Sequence, residues 1–130
     1  MATTTRPTAP RTSAFASLLR LAVALQTLTI LVQAASAGLL LSTSYGETLH
    51  SAGARVMYGA SMLHLLAAVL AWKPGGGPLR PVWHAAGFLL LASAQVVLGV
   101  AHVPAVHLPL GVLMFGLSLV AAVRTGHPRR

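Results

Sequence analysis

The stretch LLRLAVALQTLTILVQAASAGLLL, residues 18–41, decides the fold of this chain. It exceeds the roughly 20 residues that a helix rising about 1.5 Å per residue needs to cross the hydrocarbon core of a membrane. Three further apolar runs follow, at about residues 49–72, 82–103 and 106–123. The last of them is close to the lower limit of about 17 residues, which suffices for a nearly upright helix. The sequence therefore predicts four transmembrane helices, the first at about residues 17–42.

The composition of the whole chain is that of a membrane protein. Of its 130 residues 55% are hydrophobic and 8% are charged, whereas roughly 25% are charged in a soluble domain. The net charge of +8 does not indicate a nucleic-acid partner, because the basic residues lie at the ends of the apolar runs and form no stripe with aromatic residues. Cysteine is absent, which excludes disulfides and thiolate metal sites. The partner that the composition does indicate is the lipid bilayer.

Segments rich in proline, glycine or polar residues flank and separate the runs. Residues 1–14 are predicted to form a disordered tail, residues 15–124 a four-helix membrane domain, and residues 125–130 a second tail. The segment KPGGGPLRP at 73–81 must form a loop. The chain is expected to bend around Pro104, and Pro109 then fits the first turn of the fourth helix.

The basic residues predict the orientation. They precede the first helix, occupy the second loop and follow the fourth helix, at Arg6, Arg11, Arg20, Lys73, Arg80, Arg124, Arg129 and Arg130. The positive-inside rule then puts both termini and the middle loop in the cytoplasm, with the chain in the cell (plasma) membrane. A competing interpretation takes Ala35-Ser36-Ala37 as the cleavage site of a secretory signal. The first apolar run is longer than the usual 7 to 15 residues or so of such signals, which favours a retained helix.

An internal repeat relates the two halves of the chain. Aligning His50 with His107 brings VMYGAS at 56–61 over LMFGLS at 113–118, with the Met, aromatic, Gly and Ser positions in step. Farther upstream, Gln33 corresponds loosely to Gln95. The repeat predicts an up-and-down bundle of four transmembrane helices built from two similar helical hairpins, with the two histidines at equivalent positions.

Helical spacing gives each of these histidines the same kind of surroundings. One face of helix two carries His50, Gly53, Ala54, Met57, Ser61 and His64. The corresponding face of helix four carries His107, Leu110, Gly111, Met114, Ser118 and Ala121. The small residues alone are typical of close helix packing in membranes. An imidazole in apolar surroundings, however, is costly unless it has a partner. Two neutral imidazoles that face each other are what a six-coordinate haem iron requires. We therefore predict that His50 and His107 meet and bind a redox metal.

Two charged residues accompany this predicted site. Glu47, the only acidic residue of the chain, stands three residues before His50. At the water-exposed edge of the membrane Glu47 can remain ionised and hydrogen-bond the free nitrogen of a ligating imidazole. Alternatively, it only interacts favourably with the positive N-terminal end of helix two. Arg55 lies five residues after His50 and is predicted to reach a haem propionate or Glu47, or else to extend towards water.

These residues also carry a resemblance to a known family. Glu47-x-x-His50, the QVVLG segment at 95–99 and His107 at the start of helix four resemble one half of haem A synthase, the membrane enzyme that oxidises haem O to haem A. The resemblance covers roughly residues 17–123. It implies that His50 and His107 are axial haem ligands and that Glu47 is the catalytic acidic group beside them. Because Ser51 stands where the family usually has arginine, and the outer loops are shorter, it favours a haem-binding bundle over haem A synthesis itself.

Two functions from different classes are thus predicted. The first is a redox or haem-modifying protein that binds haem between helices two and four. The alternative is a cofactor-free membrane subunit whose histidines form a polar network, with a second copy of the chain or a respiratory-assembly protein as partner. Of the remaining histidines, His64 is expected to be hydrogen-bonded in the core and His84 to be interfacial, although they could form a second pair. His102 could replace His107 as a ligand.

Overall fold

The computed structural model describes residues 11–126, and their side chains from residue 14 onwards. It contains four α-helices, α1 (Arg11–Leu40), α2 (Gly46–Trp72), α3 (Arg80–Val100) and α4 (Pro104–Gly126). All four are long and apolar enough to cross a membrane, so the chain is a multi-pass membrane protein in contact with lipid. Residues 11–14 and 125–126, assigned to the tails by sequence, belong to helices. The rest of both predicted tails lies outside the described residues.

The helices form the predicted up-and-down bundle. Helix α1 packs against α2 and α4, and α3 also packs against α2 and α4. Within residues 11–126 the backbones of α2 and α4 do not touch, so these two helices lie diagonally across the bundle. The turns at 41–45 and 101–103 share one end, which we call the histidine end because His50 and His107 are there. The loop at 73–79 lies at the other, the basic end, with Arg20, Lys73, Arg80 and Arg124.

Glycine permits the tight connections at both ends. Gly46 begins α2 directly against the last turn of α1, where an added Cβ would overlap the carbonyl oxygen of Leu39. At the basic end Gly76 has a φ of 65°, a left-handed conformation that glycine adopts without steric cost. The hairpin of α1 and α2 therefore closes over a five-residue turn with the two helices in close contact.

The start of α4 differs from the sequence prediction. Pro104 is its first residue, a position that suits proline because the missing N–H would have no helical partner there. The helix thus begins earlier than predicted, and Pro109 lies inside it instead of in its first turn. A proline at that depth removes the hydrogen bond to the carbonyl of Ala105.

The interior is divided into four layers along the bundle axis. From the histidine end, the histidine layer consists of Gln33, Ser36, His50, Gln95 and His107. The first apolar layer consists of Ile30, Met57, Phe88, Ala92 and Met114. The middle polar layer consists of Gln26, Thr27, Ser61, His64 and Ser118. The second apolar layer consists of Leu19, Ala22, Val23, Ala67, Ala68 and Ala85.

The internal repeat is visible in this layering. Met57 and Met114 both lie in the first apolar layer, and Ser61 and Ser118 are both fully buried in the middle polar layer. The repeat-equivalent glycines, Gly59 and Gly116, both face open space. The predicted inner faces of α2 and α4 are therefore the ones that point into the bundle.

Candidate functional site

His50 and His107 come together on the axis of the bundle. Their ring centroids are 6.3 Å apart and the ring planes are inclined by 69°. Because α2 and α4 lie diagonally across the bundle, the two side chains meet only by pointing straight into its centre. Each ring is half-buried near the histidine end. The prediction that His50 and His107 meet inside the bundle is confirmed.

Two residues of α1 hold the His50 ring. The Ser36 hydroxyl donates its only proton to the carbonyl of Gln33, at 2.9 Å, and so can only accept from the ring nitrogen Nδ1 of His50, 3.1 Å away. Nδ1 therefore carries the proton, and Nε2 has an electron pair that can accept. The Gln33 amide nitrogen donates to this Nε2, at 3.2 Å, and to the His50 carbonyl oxygen, at 3.0 Å.

The His107 ring also has its proton on Nδ1, but a different contact fixes it there. Its Nδ1 lies 3.1 Å from the backbone carbonyl oxygen of Gln95 on α3, and a carbonyl can only accept. The proton is again on Nδ1, which leaves an electron pair on Nε2. Within the described residues no side chain donates to that nitrogen. His107 is therefore oriented as a metal ligand would be, with its outer N–H on a carbonyl and its Nε2 free.

Each histidine also has a glutamine and a glycine beside it. An added Cβ at Gly53, one turn after His50, would overlap the Gln33 amide oxygen, and one at Gly111, one turn after His107, would lie 3.0 Å from Gln95 Nε2. The glycines thus make room for the glutamine side chains. Among the described residues the amide oxygens of Gln33 and Gln95 are buried without a hydrogen-bond donor. The site therefore contains four uncharged electron-pair donors, two imidazole nitrogens and two amide oxygens, of which the Nε2 of His50 already accepts from Gln33.

Of the two charged residues predicted for the site, Glu47 lies at its rim and Arg55 lies on a different face of α2 from His50. Glu47 is exposed in the first turn of α2, and within the described part of the chain its carboxylate makes no hydrogen bond or ion pair. The ring nitrogens of His50 bond to Ser36 and Gln33 instead. Arg55 is exposed on α2. His102 is exposed in the turn between α3 and α4, with a φ of 53°, and His107 rather than His102 faces His50.

His64 and His84 do not form a second pair of this kind. His64 is buried, with its Nδ1 2.9 Å from the amide oxygen of Gln26 on α1. His84 is exposed near the basic end of α3. The expectation that His64 is hydrogen-bonded in the core is confirmed, and the interfacial position of His84 stays a prediction.

The donor set fits some metal centres better than others. Two rings bound to one metal through nitrogens at about 2.0–2.1 Å have centroids roughly 6 Å apart, close to the 6.3 Å seen here. No group of three or more His, Cys, Asp or Glu side chains that could hold a metal ion exists in the described residues. A structural zinc site, which needs four protein ligands, is thus a poor fit. A metal that brings its own equatorial ligands, as haem iron does, needs only two.

Sequence reasoning missed the part that α1 plays in this site. The sequence marks Ser36 only as part of a possible cleavage site, and it assigns no role to Gln26 or Thr27. Gln26, Gln33 and Ser36 lie on one face of α1, because steps of seven and three residues return to the same side of a helix. That polar face in an otherwise apolar span was the signal available.

Comparison of the chain with family models, with curated proteins and with solved structures gave no match.

Proposed function

We propose that this multi-pass membrane protein binds haem between α2 and α4, with His50 and His107 as axial ligands, in a redox or haem-modifying role like a single half of haem A synthase. The observation that carries the proposal is the 6.3 Å pairing of two histidine rings that both have their proton on Nδ1. The electron pair on Nε2 is free in His107, and in His50 it accepts from Gln33. The resemblance of Glu47-x-x-His50 and His107 to the haem A synthase motifs supports it independently.

In this proposal the surrounding residues prepare the ligands. The Gln95 carbonyl and the Ser36 hydroxyl accept the Nδ1 protons, which fixes both ring orientations and increases the basicity of the rings. Gln33 must release the Nε2 of His50 before that nitrogen binds metal, whereas His107 needs no such change. Bound haem would supply one-electron chemistry at a potential set by its axial ligands and their hydrogen bonds.

The two charged residues have separate roles in the proposal. Glu47 would accept or deliver protons at the exposed edge of the site, and Arg55 would bind a haem propionate. Glu47 is exposed in the first turn of α2, where keeping a charge in water costs little. Arg55 is exposed about two turns deeper, so its long side chain would have to extend along the helix towards the propionate. We also propose the plasma membrane as the location, with both termini and the basic end in the cytoplasm.

Haem binding is tested by purifying the protein from membranes of a host supplied with haem precursor. We expect a low-spin, six-coordinate absorption spectrum in the wild-type protein. His50→Ala and His107→Ala should each lose that spectrum and regain it with added imidazole. His84→Ala is the matched control, since it removes an exposed histidine far from the pair. A wild-type protein that takes up no haem, or a double His50/His107 variant that keeps the spectrum, would refute the proposal.

A second candidate is a cofactor-free subunit in which the histidine layer is a polar interhelical contact. The observation in its favour is that both ring nitrogens of His50 already have hydrogen-bond partners on α1. Its partner would be a second copy of the chain or a respiratory-assembly protein. This candidate predicts a colourless protein in which His50→Ala lowers the stability of the bundle.

A further inference from the structure

A groove between α1 and α4 opens at the basic end of the bundle. Its volume is about 290 Å³, and it is lined by Arg20, Leu21 and Ala24 of α1 and by Ala122, Thr125 and Gly126 of α4. The three α1 residues are exposed, so the groove faces the lipid that surrounds the bundle. It lies at the opposite end from the histidine layer, and its occupant is therefore independent of the proposed haem.

Of the described residues that line the groove, only Arg20 is charged. Its guanidinium group donates one hydrogen bond, from Nη2 to the Ser17 hydroxyl oxygen at 3.1 Å. The other four N–H groups have no acceptor within the described part of the chain, and neither does the Ser17 hydroxyl proton. Ser17 lies three residues before Arg20, on the same side of α1. The two side chains therefore present a cluster of unused hydrogen-bond donors at the outer end of the groove.

No acidic side chain of the protein can neutralise Arg20. Glu47 is the only Asp or Glu in the sequence, and it lies in the first turn of α2 at the histidine end. The lipid phosphates, which lie near the ends of the membrane-spanning helices, are the anions available at the basic end. The unused donors of Arg20 and Ser17 therefore match a lipid phosphate in charge and in hydrogen bonding.

Beyond Arg20, towards the middle of the membrane, the groove is apolar. Ala24 lies one turn deeper than Arg20 on α1, and Ala122 lies one turn deeper than Gly126 on α4. Because both alanine side chains are single methyl groups, they leave room beside Leu21 for a hydrocarbon chain. The groove thus combines a positive charge at the level of the headgroups with an apolar part at the level of the acyl chains.

Thr125 adds a hydrogen-bond acceptor to the same groove. Its hydroxyl proton is used within α4, on the carbonyl oxygens of Ala121 at 2.9 Å and Ala122 at 3.1 Å. The Thr125 oxygen can therefore only accept further hydrogen bonds. A phosphodiester has no proton to donate to it, whereas a headgroup hydroxyl has one. The groove therefore favours an anionic lipid whose headgroup carries hydroxyl groups, as that of phosphatidylglycerol does.

We propose that this groove binds one phosphatidylglycerol molecule. Arg20 and Ser17 donate to its phosphate, a headgroup hydroxyl donates to Thr125, and one acyl chain lies along Leu21 between α1 and α4. Basic grooves between transmembrane helices suit anionic headgroups in this way. A second copy of the chain fits the groove less well, because in the same orientation its Glu47 is also at the histidine end and it brings no acidic side chain to Arg20.

The proposal is tested by native mass spectrometry of the full chain in detergent micelles. The protein is titrated with phosphatidylglycerol and, separately, with phosphatidylcholine that has the same acyl chains. We expect one phosphatidylglycerol to bind per chain with about fivefold higher affinity than phosphatidylcholine, the factor that corresponds to one basic residue beside an anionic headgroup. Equal affinity for the two lipids would overturn the proposal. A dimer that binds no lipid would also overturn it, because a second copy would then cover the groove.

Variants then locate the lipid. Arg20→Gln should lower the affinity for phosphatidylglycerol about fivefold. Arg124→Gln is the matched control and should leave the affinity unchanged, because it removes the same charge from the same end but lies on the other side of α4 from Ala122. Ala24→Phe keeps every charge and fills the apolar part of the groove, so it should also weaken binding. Equal losses in Arg20→Gln and Arg124→Gln, or full affinity in Ala24→Phe, would show attraction by net charge alone and would overturn the proposed site.

Discussion

Replacement of Gly53 by alanine tests how Gln33 holds His50. A Cβ at Gly53 overlaps the Gln33 amide oxygen and comes within 3.5 Å of the amide carbon. The end of the Gln33 side chain must therefore move. It then loses the two hydrogen bonds from its nitrogen to His50, of 3.2 Å to the ring and 3.0 Å to the carbonyl oxygen.

The expected magnitude follows from two opposing terms. Two hydrogen bonds at about 0.5–1.5 kcal/mol each contribute about 1–3 kcal/mol. Alanine in place of glycine within a helix gains about 1 kcal/mol. Gly59→Ala is the matched control, because Gly59 is on the same helix and nothing lies within 4 Å of its added Cβ. The free energy of unfolding of Gly53→Ala should therefore be about 1–3 kcal/mol below that of Gly59→Ala.

The assay is reversible unfolding in mixed micelles, followed by helical circular dichroism. The difference between the two glycine variants should vanish when Gln33 is also replaced by leucine, which makes the measurement a double-mutant cycle. The ¹⁵N resonance of His50 Nε2 should shift in Gly53→Ala and not in Gly59→Ala. Equal stabilisation by the two alanines would show that Gln33 does not hold His50, and the account of the histidine layer would then be wrong.

Three further predictions concern the ends of the bundle. Reporter fusions after Arg130 and within 75–77 should both report the cytoplasm, and an external signal from either would contradict the proposed orientation. His102→Gly should raise the free energy of unfolding by about 1 kcal/mol, since His102 has a φ of 53° that glycine adopts more easily; an unchanged thermal midpoint would contradict this. Glu47→Gln should change haem occupancy or potential in an intact bundle. Haem occupancy and potential equal to those of the wild-type protein would show that Glu47 only interacts with the N-terminus of α2, which contributes about 0.3–1 kcal/mol.

The sequence predicted the helices and the meeting of the two histidines, because both depend on periodicity. Apolar length specifies a membrane helix, and the repeat of 56–61 at 113–118 specifies which faces turn inward. The hydrogen-bond partners of His50 were not predictable in the same way. They come from α1, and whether Gln33 or the nearby Glu47 reaches the ring depends on how far α1 and α2 are rotated against each other. The start of α4 was misjudged because both Pro104 and Pro109 are compatible with a first turn.

Within the described residues, uncharged groups alone form the polar interior of the bundle. Glutamine, serine, threonine and histidine side chains occupy the histidine layer and the middle polar layer, while Glu47 and Arg55 are exposed. An ionised carboxylate at these depths would cost far more than an amide or a hydroxyl. The lack of charged side chains in these layers also limits what the histidine layer can bind. A bare divalent cation among four neutral donors would keep its full charge in a medium of low dielectric constant. In haem, the negative charge of the macrocycle compensates the charge of the iron. The protein would then have to supply only two nitrogen ligands. The neutrality of the layer is therefore unfavourable for a bare cation and compatible with the haem that we propose.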